Sequence, residues 1–376
     1  AFRSVGSNAL EENTTASNNT AVGNSALTLN TTGAQNVAVG ALALDANTDQ
    51  SNNTAIGYAA LGANTGGTRL VAVGMNALTQ NTTGNNNVAV GNNALDANTA
   101  GADNVAVGYN ALSASTTASN NTAIGHKVLE DSTSGAQLVG LGGFALTNNT
   151  TGDDNSALGY GTLSSNTTGS HNTAVGRHAL NANTTASNNT AIGRSSLLLN
   201  TTATGGTALG SQALEANTTG NYNTAVGMQS LESNQTGTDN VAVGYYALQA
   251  NTASNNTGVG RRALANNTSG TSNTAVGQDC LDANTTANNN TAVGKSAMGS
   301  NTTGSSNTAV GQAALATNVT SSGNTAVGRA ALSATTGDSN TAVGNGALEN
   351  NSSASNNTAV GKDSLYANTT GFQNVA

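Results

Sequence analysis

The sequence has no proline and no tryptophan, a single cysteine, and only 3% aromatic residues. A chain of 376 residues would ordinarily divide into roughly two or three globular domains, but so few large side chains cannot fill several thick cores. Charged residues are equally scarce, at 7%, and a net charge of −8 with sparse Lys and Arg leaves no electrostatic footprint for nucleic acid. No apolar run reaches the ~18 residues of a membrane-spanning helix, so no membrane insertion by this segment is expected. Such a composition leans towards disorder; what argues for order is spacing. The chain opens at Ser4-Val5-Gly6 and stops at Asn374-Val375-Ala376, both in mid-repeat, and is read as a window on a longer array.

What the sequence does contain is glycine, 46 residues of it, and the glycines are periodic. With the glycine that follows an aliphatic residue as origin, the series runs Gly6, Gly23, Gly40, Gly57 and onward in steps of 17 residues to Gly244. A 16-residue step leads to Gly260, a second short step leads from Gly328 to Gly344, and Gly361 closes a series of 22. The consensus is Asn-Thr-Ala-Val-Gly-x-x-Ala-Leu-x-x-Asn-Thr-Thr-Gly-x-x. Each short step loses one residue from the Asn-Thr-Thr stretch, as at Asn251-Thr252-Ala253, which marks that stretch as loop. Repeats of this kind bury a common face only by stacking on their neighbours.

The residue before the glycine is always Val, Ile or Leu (Val22, Ile56, Leu141, Val175, Val360), and the fourth after it is Leu except for Met298. These are the expected core positions. The apolar spacing is not helical, and Asn-Val-Ala-Val-Gly reads as a short strand. A 17-residue unit with two short strands and two turns makes one coil of an all-β parallel β-solenoid, or β-roll, of about 22 coils over residues 1–376. At ~4.8 Å per coil such an array would extend roughly 100 Å. Stacking sets like above like. Asn ladders are therefore expected at the seventh position (Asn13, Asn30, Asn47, Asn64, Asn81) and just before the strand (Asn36, Asn53, Asn87, Asn104). The repeated Asn-x-Thr sequons are read as turn chemistry rather than as glycosylation acceptors.

The strand is apolar on both faces, Thr/Val and Val on one and Ala or Gly on the other. Strands of that kind are usually covered on both. One face is expected to line the coil's own core and the small-residue face to admit another chain, giving a homo-oligomer, with a trimer as the expected number.

Chemistry-bearing residues are few. Cys280 stands in a column that is otherwise mostly Ala and reads as a small buried substitute. His126, His171 and His178 lack metal-ligand spacing. No P-loop or dinucleotide fingerprint occurs, Gly294-Lys295-Ser296 being an accident of variable positions. No catalysis, cofactor or metal is therefore expected. One column is patterned. The first residue after the glycine is large or basic at Tyr58, Tyr109, Tyr160, Arg177, Arg194, Tyr245, Arg261, Lys295, Arg329 and Lys362. The fifth favours acids (Glu11, Asp45, Asp96, Glu130, Glu215, Glu232, Asp282, Glu349), so the two columns are expected to pair across neighbouring coils or chains. The Tyr/Arg column is the candidate contact for a host-cell receptor or glycan, since Tyr and Arg are favoured at binding hot spots.

Units such as Asn121-Thr122-Ala123-Ile124-Gly125 and Asn104-Val105-Ala106-Val107-Gly108 resemble two related groups. One is the head of trimeric autotransporter adhesins, a left-handed β-roll. The closer is the tandem Asn-Thr-Ala-Ile/Val-Gly-x-x-Ala-Leu array of phage tail-fibre-like proteins. The resemblance covers the whole chain. It implies a structural and adhesive extracellular fibre: a surface adhesin, tail fibre or filament subunit. An ice-binding solenoid presenting Thr and Asn columns is the rival expectation. Against it, the Thr-Thr pair lies in the stretch that loses residues, and the strand Thr exchanges with Val.

Overall fold

The computed structural model describes residues 3–376, and of Arg3 its backbone alone. Every regular element among them is a β-strand of three residues, and successive strands within each unit pair in parallel, which makes the molecule a parallel β-solenoid. The chain divides into two compact units, Ala1–Asn188 and Asn189–Ala376. Strands β1 (Arg3–Val5) to β11 (Thr173–Val175) belong to the first, and β12 (Thr190–Ile192) to β22 (Thr358–Val360) to the second. Register is strict: Val37, Ala38 and Val39 lie against Thr54, Ala55 and Ile56. The two 16-residue steps do not disturb it, for Val241 still lies beside Thr257, and Thr325 beside Thr341.

Each coil has one strand where the sequence suggested two. After the strand comes the origin glycine, and then a segment in which the second and fourth residues adopt left-handed backbone, Ser25 at φ 54° and Leu27 at φ 55° in one coil, Asn93 at 54° and Leu95 at 51° in another. Alternation of that kind cannot form a pleated strand, yet it is hydrogen-bonded between coils: the Leu27 amide donates to the Ala43 carbonyl at 2.9 Å and that of Leu44 to Ala60 at 3.0 Å. A left-handed leucine costs about 1–2 kcal/mol, which complete burial of its side chain offsets. The origin glycine is required by two facts together. Gly91 has φ 143°, and a Cβ there would stand 2.2 Å from the Gly108 carbonyl oxygen of the next coil.

The interior corrects the expected inside and outside. The strand Ala, the Ala three residues after the glycine and the Leu after that are the buried apolar groups of each coil, as Ala38, Ala43 and Leu44 show at 0% exposure. The aliphatic residue before the glycine, expected in the core, faces out: Val22 is 38% exposed, Ile56 40% and Val360 62%. Leu141 and Val175 are half-exposed. The small-residue face of the strand thus lines the coil's own core and is not free for another chain. Space is the reason. Val128 replaces Ala in its column, and the strand residue opposite is Gly140, where a Cβ would meet Val128 Cγ1 at 2.5 Å. In the other coils the turn position holds Ala or a small Ser, Thr or Cys, such as Thr162 and Cys280, and the one Val stands against Gly.

The rest of the interior is amide. In the seventh column Asn30, Asn47, Asn64 and Asn81 each donate Nδ2 to Oδ1 of the Asn one coil before, at 3.0, 2.9, 3.2 and 3.0 Å, the first of these acceptors being Asn13. The second ladder has a different chemistry: Oδ1 of Asn36 and Asn87 accepts from the backbone N–H of Asn53 and Asn104 at 2.9 Å. Nδ2 of Asn53 and Asn104 donates onward to the carbonyls of Gly67 and Ala118, at 3.0 and 2.9 Å. The stretch read as loop carries a third ladder, in which Thr31, Thr82 and Thr150 donate their hydroxyls to the carbonyls of Thr48, Thr99 and Thr167 at 3.1, 2.9 and 2.9 Å. Buried polar groups need such partners. Where the column changes, the ladder fails. Ser115 and Ser132 replace Asn, and their hydroxyls and Asn98 Oδ1 are left without a partner.

Candidate ligand-binding surface

The corner just after the origin glycine is the variable surface of the coil. All ten members of the predicted Tyr/Arg/Lys column are exposed there. Their pairing differs from expectation. Acids of the fifth column pair with the second residue after the glycine rather than the first: Arg262 reaches Asp282 at 2.9 Å, Lys127 reaches Glu130 at 3.2 Å, and Gln212 and Gln229 donate to Glu215 and Glu232 at 2.7 and 2.8 Å. The left-handed second residue and the fifth flank the Leu turn on one surface, so they meet first. Among the described residues, Arg261 and Lys362 are the members of the predicted column in ion pairs, with Asp279 at 3.4 Å and Asp363 at 3.6 Å. All are at least partly exposed, and pairs of this kind contribute about 0–1 kcal/mol.

The structure brings some column members together and leaves others apart. In the second unit, Arg329 and Lys362 line one shallow open groove with Glu349 and Tyr366. Tyr245 packs on Tyr246 with centroids 3.9 Å apart. In the first unit, Tyr109 and Tyr160 belong to a row that the sequence columns did not show. Tyr109, His126, Phe144, Tyr160 and His178 succeed one another with ring centroids 5.4, 5.0, 5.6 and 5.6 Å apart. The row was hidden because it crosses between two columns: Tyr109, His126 and Tyr160 are first after their glycine, Phe144 and His178 second. The available signal was an aromatic or imidazole ring at either position in consecutive repeats. His171 lies elsewhere, 3.5 Å from Asp154.

Cys280 is fully buried, with Sγ 3.3 Å from the Ala292 carbonyl oxygen, and burial pushes its thiol up to about 12. That is the buried substitute expected from its column. No group of three or more His, Cys, Asp or Glu side chains able to hold a metal ion occurs among the described residues. No protein-family model matches the chain, and no curated protein matches its sequence.

Proposed function

We propose that the chain is a structural and adhesive segment of an extracellular fibre, carried on a cell surface, a virion or a secreted filament, that acts by presenting a surface rather than by catalysis. The observation that carries this reading is the outward row of the strands. In the first unit Ile56, Ile124 and Leu158 are 39–40% exposed, and in the second Ile192, Leu209 and Val310 are 38–44% exposed, each two residues after an outward Thr, or Ser156 in the case of Leu158. Rows of exposed aliphatic side chains are a feature of interaction surfaces. In-register stacking makes it a strip that an identical strip complements. The expected assembly is a homotrimer with the strips turned inward and the variable corners outward, free for a receptor or glycan.

Sedimentation equilibrium and electron microscopy test the reading. The expected result is three chain masses in slender particles, reduced to single chains by Ile56→Lys, Ile124→Lys and Ile192→Lys together. A native protein that sediments as a compact monomer overturns it.

A further inference from the structure

We infer that the aromatic row on the first unit is a binding platform for an extended, linear oligosaccharide, with one pyranose seated at each coil. The inference rests on the reading of the chain as an adhesive surface and names the chemistry that surface recognises.

The fold does not need these rings. The same corner carries Asn24, Ala41 or Met75 in other coils of the unit without loss of register. Where the rings occur they are accommodated. A Cβ on Gly161 would stand 2.8 Å from His178 Nδ1, so glycine opens the space that ring occupies. Tyr109 and Tyr160 nonetheless leave 46% and 51% of their surface to solvent, and His126 is exposed. A row of five rings in consecutive coils, three exposed and Phe144 and His178 half-buried between them, held in place by main-chain register, is a prepared apolar track with little ordering left for a ligand to drive.

Polar groups rim the track. Asn110 Nδ2 donates to Glu130 Oε1 at 2.9 Å, Lys127 pairs with the same carboxylate at 3.2 Å, and Asn181 Nδ2 donates to the Gly161 carbonyl at 2.8 Å and to Ser164 Oγ at 2.7 Å. Successive rings are turned by 16° between Tyr109 and His126 and by 65–87° along the rest of the row, so faces and edges alternate toward C–H groups, and the amide, carboxylate and ammonium beside them complement the hydroxyls of a pyranose. The spacing also fits, since centroids 5.0–5.6 Å apart match the advance of one sugar in an extended β-1,4-linked chain. Single-stranded nucleic acid stacks on such rows too, but it requires a positively charged groove, and here the net charge is −8 and Lys127 is paired.

The test is calorimetric titration of the full chain with cellohexaose and chitohexaose, and with maltohexaose as a curved, α-linked comparison. A saturable isotherm with a β-1,4-linked hexasaccharide is expected, weakened at least about ten-fold in the Phe144→Ala/Tyr160→Ala variant and unchanged in Tyr222→Ala/Phe372→Ala, two exposed rings of the second unit outside the Tyr/Arg/Lys column. No binding of either β-1,4 chain at millimolar concentration, tighter binding of maltohexaose, or equal loss in both variants overturns it. Saturation-transfer NMR on the unmodified protein gives a second readout: irradiated ring protons should pass saturation to sugar C–H protons, and absence of transfer overturns the inference without any variant. The particle mass is untouched by these outcomes, so failure here and failure of the fibre reading are separable.

Discussion

The break in the amide ladder at Ser115 and Ser132 can be mended, and the gain follows from the intact coils. Asn64 in an unbroken stretch donates Nδ2 to Asn47 Oδ1 at 3.2 Å and to the Gly67 carbonyl at 2.9 Å, and its Oδ1 accepts from Asn81 at 3.0 Å. Between Asn98 and Asn149 the links 98–115, 115–132 and 132–149 are missing, and so are the corner bonds from 115 and 132 to the carbonyls of Ala118 and Gly135. Three ladder bonds and two corner bonds make five. At a net ~1 kcal/mol each, less about 1 kcal/mol of rotamer entropy for each ordered Asn, Ser115→Asn/Ser132→Asn should stabilise these coils by about 3 kcal/mol. Corner room is present, because Asn183 sits over Ala186 and Asn98 over Gly101 in the same arrangement, at 3.0 and 3.1 Å. Local stability is the proper readout, since a repeat array need not unfold as one unit. Hydrogen exchange of amides between residues 98 and 149 should slow by about two orders of magnitude, as ~3 kcal/mol requires, with distant coils unaltered. Unchanged or faster exchange there would refute the ladder's energetic role. The reverse change, Asn64→Ser, should speed exchange in its own and adjoining coils.

Other expectations follow from single sites. Gly91→Ala places a Cβ 2.2 Å from a main-chain carbonyl in a conformation that L residues avoid; a loss of about 3–5 kcal/mol is expected in a thermal melt, and an unaltered melting temperature would remove the steric argument. Asp96 is raised from the ordinary carboxylate value by desolvation, and its Oδ1 has no partner. A folded-state value above the unfolded one means that stability is fullest below the unfolded value and falls as pH rises through the interval up to the folded one. Asp96→Asn should therefore raise the melting temperature at about pH 7 and leave it nearly unchanged at about pH 3; the opposite order in paired melts contradicts that sign. Cys280, buried and pushed up to about 12, should resist iodoacetamide at neutral pH until the chain is denatured, and mass spectrometry of the native protein would expose any error by finding the adduct.

Period and stacking were legible because they are properties of spacing. A glycine at a nearly fixed interval, an Asn seven residues later save at Ser115, Ser132 and Thr335, and a Leu four later save at Met298 force like residues into like environments, so the first Asn ladder could be named by residue. The second Asn column was located but its bonding was not, because the acceptor is set by backbone direction: Asn36 Oδ1 takes a main-chain N–H and not a neighbouring amide. The Thr ladder was missed because deletions fall in that stretch. Deletions mark where a coil tolerates shortening, and the remaining Thr252 still donates to the Thr268 carbonyl at 2.8 Å. The aromatic row was missed because contact across coils runs between neighbouring columns as well as within one.

Which face of the strand points inward was read the wrong way, and the error shows what shapes the molecule. Hydrophobicity ranks Val above Ala as a core residue, and in a thick core that ranking holds. In a coil closed by 17 residues, main-chain ladders draw the walls together until only a small side chain such as Ala, Ser, Thr or Cys fits between the Leu turn and the strand Ala, and Val128 stands against Gly140. Volume, not polarity, then selects the interior residue, and the larger aliphatic side chain is displaced to the surface. Val, Ile or Leu nonetheless occupies that position in every repeat. Polar residues would fill the same outward position of an isolated solenoid without steric cost, and this supports the side-by-side association proposed above.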